Sequence, residues 1–154
     1  MFYRRASGGT MMTNARDIMH SGVICVNEYE TVSAAATRMR DLGIGALPIC
    51  ADDEHLRGMV TDRDIAVKCL AAGKEPATTL VGELAQGPVY FVPSTASILY
   101  MLDVMALHQV RRLPVVEGRR LVGIVTEADV VRKLSEHAIA EFLTAVCAPR
   151  AFTA

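Results

Sequence analysis

Gly58-Met59-Val60-Thr61-Asp62-Arg63-Asp64 and Gly123-Ile124-Val125-Thr126-Glu127-Ala128-Asp129 are one phrase written twice. Each reads as an apolar strand that runs into a helix, with threonine at the junction and aspartate three residues on. Working outward at the same offset of 65, Leu56 falls on Leu121. Beyond a single-residue gap the offset becomes 66, and Val23, Val26, Met39, Leu47 and Pro48 fall on Val89, Val92, Met105, Leu113 and Pro114. A period this long, present twice, argues against a solenoid, which needs three or more units to bury a continuous core. It predicts two half-modules with incomplete cores that pack on one another about a pseudo-twofold axis. Such a pair also makes two related clefts between its halves.

Each repeat decodes in the same order. A short helix comes first, at Ala15–Met19 and Val81–Ala85. A strand of β-branched and apolar residues follows, Val23–Val26 and Val89–Val92. Thr31 and Ser97 stand at helix N-cap positions, ahead of apolar residues at helical spacing (Val32, Ala35, Ala36, Met39; Ile98, Met101, Leu102, Met105). Two strands then form a hairpin, and a helix over Asp62–Ala72 or Glu127–Leu134 closes the unit, the first ended by Gly73. The fold class is therefore mixed α/β of the α+β kind, helix-strand-helix-strand-strand-helix twice. The first two strands should be parallel and the last two antiparallel. By this reading residues 1–12 are a disordered extension, 13–73 the first repeat, 74–80 a linker and 81–134 the second repeat. Residues 135–154 form a C-terminal amphipathic helix and tail, with Ile139, Phe142, Leu143 and Val146 on one side.

Composition narrows the function. Of 154 residues 51% are hydrophobic and 21% charged, as in an ordered globular protein. Sixteen basic and 17 acidic residues leave a net charge of −1, without the basic excess of a nucleic-acid binder. No apolar run reaches the ~18–20 residues that span a bilayer. Arg4 and Arg5 are followed by Ala6, Ser7, Gly8 and Gly9 where a signal peptide needs an apolar core, so a cytoplasmic protein is expected. No Gly-x-Ser-x-Gly elbow, Walker loop or Gly-x-Gly-x-x-Gly follows a strand, so the chain reads as non-enzymatic.

The doubled Gly-φ-φ-Thr-x-x-Asp phrase, each copy preceded by an x-Leu-Pro-φ-φ strand, resembles the paired CBS domain, also called a Bateman module. Ala15-Arg16-Asp17-Ile18-Met19, Ile44 to Cys50 and His108-Gln109-Val110-Arg111-Arg112 resemble its stand-alone, hypoxic-response branch. The resemblance implies a stress-response regulator with no attached enzyme. It also implies clefts for an adenosine ligand such as AMP, ADP, ATP or S-adenosylmethionine, no required cofactor, and an unidentified partner protein. It implies a homodimer through helix faces, which also suits a chain with so many apolar helix positions. In the family, Asp64 and Asp129 would each accept both hydroxyls of a ribose, with Thr61 and Thr126 near the ribose or α-phosphate. A carboxylate suits a diol because each oxygen can take one proton. The same Thr-x-x-Asp spacing is also a variant capping box, and one pair of residues can serve both ends.

Phosphate needs cations, which the family takes from residues just before the second strand of the opposite repeat. The second repeat has Arg111 and Arg112 there, and the first has Gly45 and Ala46. The Asp64 cleft should thus face Arg111 and Arg112. The Asp129 cleft would borrow Gly45 and Ala46, with Arg63 its nearest cation by sequence. A solvated strand edge is the alternative reading of the arginine pair.

Cys25 and Cys50 lie at or near the ends of strands expected to be parallel neighbours, within reach of a disulfide. Two buried thiols are the alternative, and the family resemblance favours the bridge. A structural stress protein, held by that disulfide and with vestigial clefts, is accordingly the second functional reading. A metal module is the third, with His108, His137 and Cys147 as ligands converging in space, although no pair of them has ligand spacing. Asp52-Asp53-Glu54 reads as a solvated turn.

Overall fold

The computed structural model describes residues 13–85 and 87–134, with Glu136, Ala140 and Thr144 beyond them. The expected tail helix, with His137 and Cys147, lies outside the described residues, as does the N-terminal extension.

The element order is α1 (Ala15–Ile18), β1 (Val26–Asn27), α2 (Val32–Leu42), β2 (Ala46–Cys50), β3 (Leu56–Thr61) and α3 (Asp62–Asp64). The second repeat follows as α4 (Val81–Leu84), β4 (Val92–Pro93), α5 (Ile98–His108), β5 (Arg112–Glu117), β6 (Arg120–Thr126) and α6 (Glu127–Val131). There are two three-stranded sheets, β1-β2-β3 and β4-β5-β6. In each the first pair is parallel and the second antiparallel. The registers repeat as the sequence does: Val26 faces Ile49, and Val92 faces Val115. Even the register shifts match, between Ile49 and Cys50 and between Val115 and Val116.

Thr31 and Ser97 cap α2 and α5 by accepting from the backbone N–H groups of Ala34 and Tyr100. Gly43 and Gln109 end those helices in the left-handed conformation. The first strand of each repeat is shorter than its apolar run, with two paired residues in place of four. The closing helix of the first repeat also differs from expectation. After one α turn it widens into a π-helix over Ile65–Leu70, where the Ala71 N–H bonds to the Ala66 carbonyl.

The cores explain why neither half stands alone. Val26, Val32, Ala35, Leu47, Ile49, Val60 and Cys69 of the first repeat are buried with Val81 and Leu84 of α4. Met101, Leu102, Met105, Leu113, Val115 and Val125 of the second are buried with Ala15 of α1, and Ile18 and Met19 pack against them. Each leading helix thus completes the opposite core. Backbone bonds hold the exchange, from Ala15 and Arg16 to Ala96 and Ser94, and from Val81 and Gly82 to Glu30 and Glu28. The hairpin turns also meet, as Leu56 N–H bonds to Arg119 O and Leu121 N–H to Glu54 O. Glu54 pairs with Arg120, Asp52 accepts from Asn27 at 2.6 Å, and Asp53 accepts from the His55 N–H at 3.1 Å, so all three turn acids are engaged rather than simply solvated. No helix among the described residues is long and apolar enough to cross a membrane.

Candidate functional site

Both Thr-x-x-Asp phrases form capping boxes. Thr61 Oγ1 accepts from the Asp64 N–H at 3.0 Å, and Asp64 Oδ2 accepts from Thr61 N–H at 3.0 Å and from its hydroxyl at 2.7 Å. Asp129 Oδ2 accepts from Thr126 N–H at 2.8 Å and from its hydroxyl at 2.7 Å. The two carboxylates differ at Oδ1. Asp64 Oδ1 meets Lys68 Nζ at 2.8 Å, while Asp129 Oδ1 meets both His20 Nε2 at 3.0 Å and Arg132 Nη2 at 2.5 Å. A carboxylate offers about four acceptor sites. Asp129 has all of them filled, and Asp64 keeps one.

Exposure agrees with that count: the Asp64 side chain is 23% exposed and the Asp129 side chain 4%. Burial pushes both acids up, yet the net shift of each is below the ordinary carboxylate value. Hydrogen bonds from Lys68 and Thr61 outweigh burial for Asp64, and those from Thr126, His20 and Arg132 do so for Asp129.

Asp64 lies in a cleft of about 650 Å³ between the repeats. Thr61, Arg63 and Lys68 line one side, and Tyr90, Arg111 and Arg112 the other. Arg111 and Arg112 line the same cleft as Asp64. Arg63, Gly45 and Ala46 were expected in the Asp129 cleft, and instead they line this one. Arg63 lies two residues beyond Thr61 on the first turn after β3, which holds its backbone in its own repeat's cleft. Arg111 pairs with Glu127 at 3.3 Å, whereas Arg63 and Arg112 form no ion pair among the described residues.

Three contributors escaped the sequence reading. Lys68 sits one helical turn beyond Asp64, and that i,i+4 spacing was a usable signal. Tyr90 was read only as a strand residue; its ring stacks on His108 with centroids 3.7 Å apart and planes 16° apart. His20 reaches Asp129 across 109 residues, which no local signal encodes.

Cys25 and Cys50 do converge. Their sulfurs are 2.7 Å apart as free thiols, with Cys50 donating to Cys25. That bond lowers the Cys25 pKa and raises that of Cys50. The pair lines a second groove of about 510 Å³. Of the metal candidates, His108 is described and is stacked on Tyr90. No three His, Cys, Asp or Glu side chains among the described residues are grouped to hold a metal.

The CBS domain family matches residues 15–70 and 81–136. Hypoxic response protein 1 of Mycobacterium tuberculosis is 60% identical over 140 residues, 91% of this chain and 98% of the relative. A crystal structure of hypoxic response protein I with two coordinated zinc ions is 61% identical, with a TM-score of 0.76 over 80% of this chain and all of that one. CBSX2 in complex with AMP shares the fold at 24% identity, with a TM-score of 0.67 over 78% of this chain and 94% of that one. Tandem sheets with exchanged helices, doubled capping boxes and both family matches agree: this chain belongs to the CBS-domain family, as a pair of repeats related to hypoxic response protein 1.

Proposed function

We propose that the chain is a non-enzymatic regulatory CBS pair of the hypoxic-response type that binds one adenosine nucleotide in the Asp64 cleft. The observation that carries this is a juxtaposition. A carboxylate with one open acceptor site shares a cleft with two arginines that have no ion pair among the described residues. A ribose hydroxyl takes the open site on Asp64, and the second hydroxyl competes with Lys68, whose ammonium then turns toward phosphate. Arg63 and Arg112 supply further positive charge. Tyr90, backed by His108, offers an aromatic face for the base. CBSX2 was solved in complex with AMP, a ligand of the class this cleft chemistry suits. Both aspartates are held ionised by their caps, which suits binding better than proton transfer.

Isothermal titration of the purified chain with AMP, ADP, ATP and S-adenosylmethionine is the test. Saturable heat for one of them supports the reading. No heat at millimolar concentration would refute it.

The second reading, a disulfide-stabilised structural protein, draws on the 2.7 Å approach of Cys25 and Cys50. It predicts no nucleotide heat together with a large loss of stability on reduction. Under either reading the unit is a homodimer, because α5 leaves Leu99, Tyr100 and Leu107 exposed and the π-helix leaves Val67 and Leu70 exposed.

A further inference from the structure

The two clefts share ancestry in sequence but not in state. Offset by 66, Met19 and His20 correspond to Ala85 and Gln86. In the first cleft the small Ala85 lies over Gly58, where an added Cβ would stand 2.9 Å from the alanine methyl. In the second, Met19 covers Gly123 so closely that its sulfur and Cγ occupy the space a side chain would need. His20 then joins the edge of β6, its N–H to Ile124 O at 2.9 Å and its carbonyl to Ile124 N–H at 3.0 Å. This places its imidazole on Asp129 Oδ1 at 3.0 Å, the atom whose counterpart in Asp64 retains an open acceptor site.

We infer that Met19-His20 is an internal strap that holds the Asp129 cleft shut, with His20 standing where a ribose hydroxyl would bind. The inference rests on the adenosine-ligand reading of the clefts and adds to it a latent second site. Without His20, Asp129 returns to the acceptor count of Asp64, one cation and one open site. Arg132 and Lys133, the counterparts of Val67 and Lys68 at an offset of 65, then supply positive charge for phosphate. The His20 side chain is 64% exposed, so its imidazole can leave Asp129 without breaching the core, whereas Met19 packs against that core.

The test is isothermal titration with AMP of the full chain, of Met19→Ala/His20→Ala, and of both on an Asp64→Ala background. The expected stoichiometries are one, two, zero and one, and the last site should vanish on adding Asp129→Ala. Two sites in the unaltered chain, one of them surviving Asp64→Ala, would overturn the strap while leaving the nucleotide reading intact. A strap variant that melts normally and still binds one AMP would overturn it as well; the single His20→Ala change serves if the double variant does not fold. If no form binds AMP, the nucleotide reading fails, and a second measurement judges the strap. His20→Ala and Asp129→Asn should then shift the urea midpoint non-additively, and additive shifts would exclude the contact.

Discussion

Lys68 Nζ rests 2.8 Å from Asp64 Oδ1 and donates to the Leu84 carbonyl at 3.1 Å, so the acid that should grip a ligand already holds a cation shared with α4. The ion pair is partly exposed and therefore weak, roughly 0–1 kcal/mol. A ligand can displace it at small cost, and the freed ammonium stays in the cleft.

Asp64→Ala should abolish AMP binding, and Asp129→Ala should leave it within about twofold by titration calorimetry, because the Asp129 carboxylate is saturated from within the chain. Each change also removes the acid half of a capping box, leaving the threonine N-cap, and should cost about 1 kcal/mol in urea unfolding. Equal loss of AMP affinity in both variants would contradict the assignment.

Arg112→Ala and Arg63→Ala should each weaken AMP about tenfold or more, as charged hydrogen bonds contribute roughly 1.5–3 kcal/mol. Adenosine affinity should not change, since it lacks phosphate. Arg111→Ala should have the smaller effect, because Glu127 already holds that guanidinium. Parallel loss of AMP and adenosine would place these arginines outside a phosphate site.

Cys25 and Cys50 should oxidise to a bridge under mild oxidant, detected by non-reducing mass spectrometry after alkylation. Closing a loop of about 25 residues should raise stability by about 3 kcal/mol in the chain-entropy treatment. In the reduced protein, iodoacetamide should label Cys25 before Cys50, since Cys50 is buried and its thiol proton is held by the Cys25 sulfur. Equal labelling rates, or full alkylation of all four cysteines after oxidation, would count against the pair.

Acid should destabilise the fold through the two capping aspartates. Both have folded-state pKa values below their unfolded value of about 3.9. The unfolded chain therefore binds protons first as pH falls, and the stability these groups contribute is complete above about pH 4 and lost as pH drops through the lower folded values. Urea midpoints between pH 6 and pH 2 should fall, and Asp64→Asn/Asp129→Asn should flatten that fall. An unchanged slope in the double variant would show that other carboxylates carry it.

Sedimentation equilibrium at sub-micromolar concentration should give about twice the chain mass of 16.7 kDa. Leu107, 78% exposed on α5, is the apolar side chain to test, and Leu107→Glu should shift the protein toward monomer. A monomeric mass for the unaltered chain would mean these faces stay in water.

Much was legible in the sequence because its signals are local. Thr31 and Ser97 announce caps, short runs of β-branched and apolar residues announce strands, and the doubled Thr-x-x-Asp announces two capping boxes about a pseudo-twofold. That Arg111 and Arg112 would line the Asp64 cleft was implied by the family resemblance applied to the repeat. Tertiary structure decided what depends on separations of a hundred residues. Arg63 sits in the first cleft because its strand-helix junction belongs to that wall, which spacing along the chain does not reveal. The exchange of α1 and α4 between cores cannot be read from periodicity, since an apolar face fits either neighbour equally well. Whether a repeated acid is open or spent was likewise undecidable from its own motif. Asp64 and Asp129 each have a threonine and one nearby basic residue as local partners, and the filled fourth acceptor site on Asp129 comes from His20, which the exchanged helix α1 delivers to the other repeat.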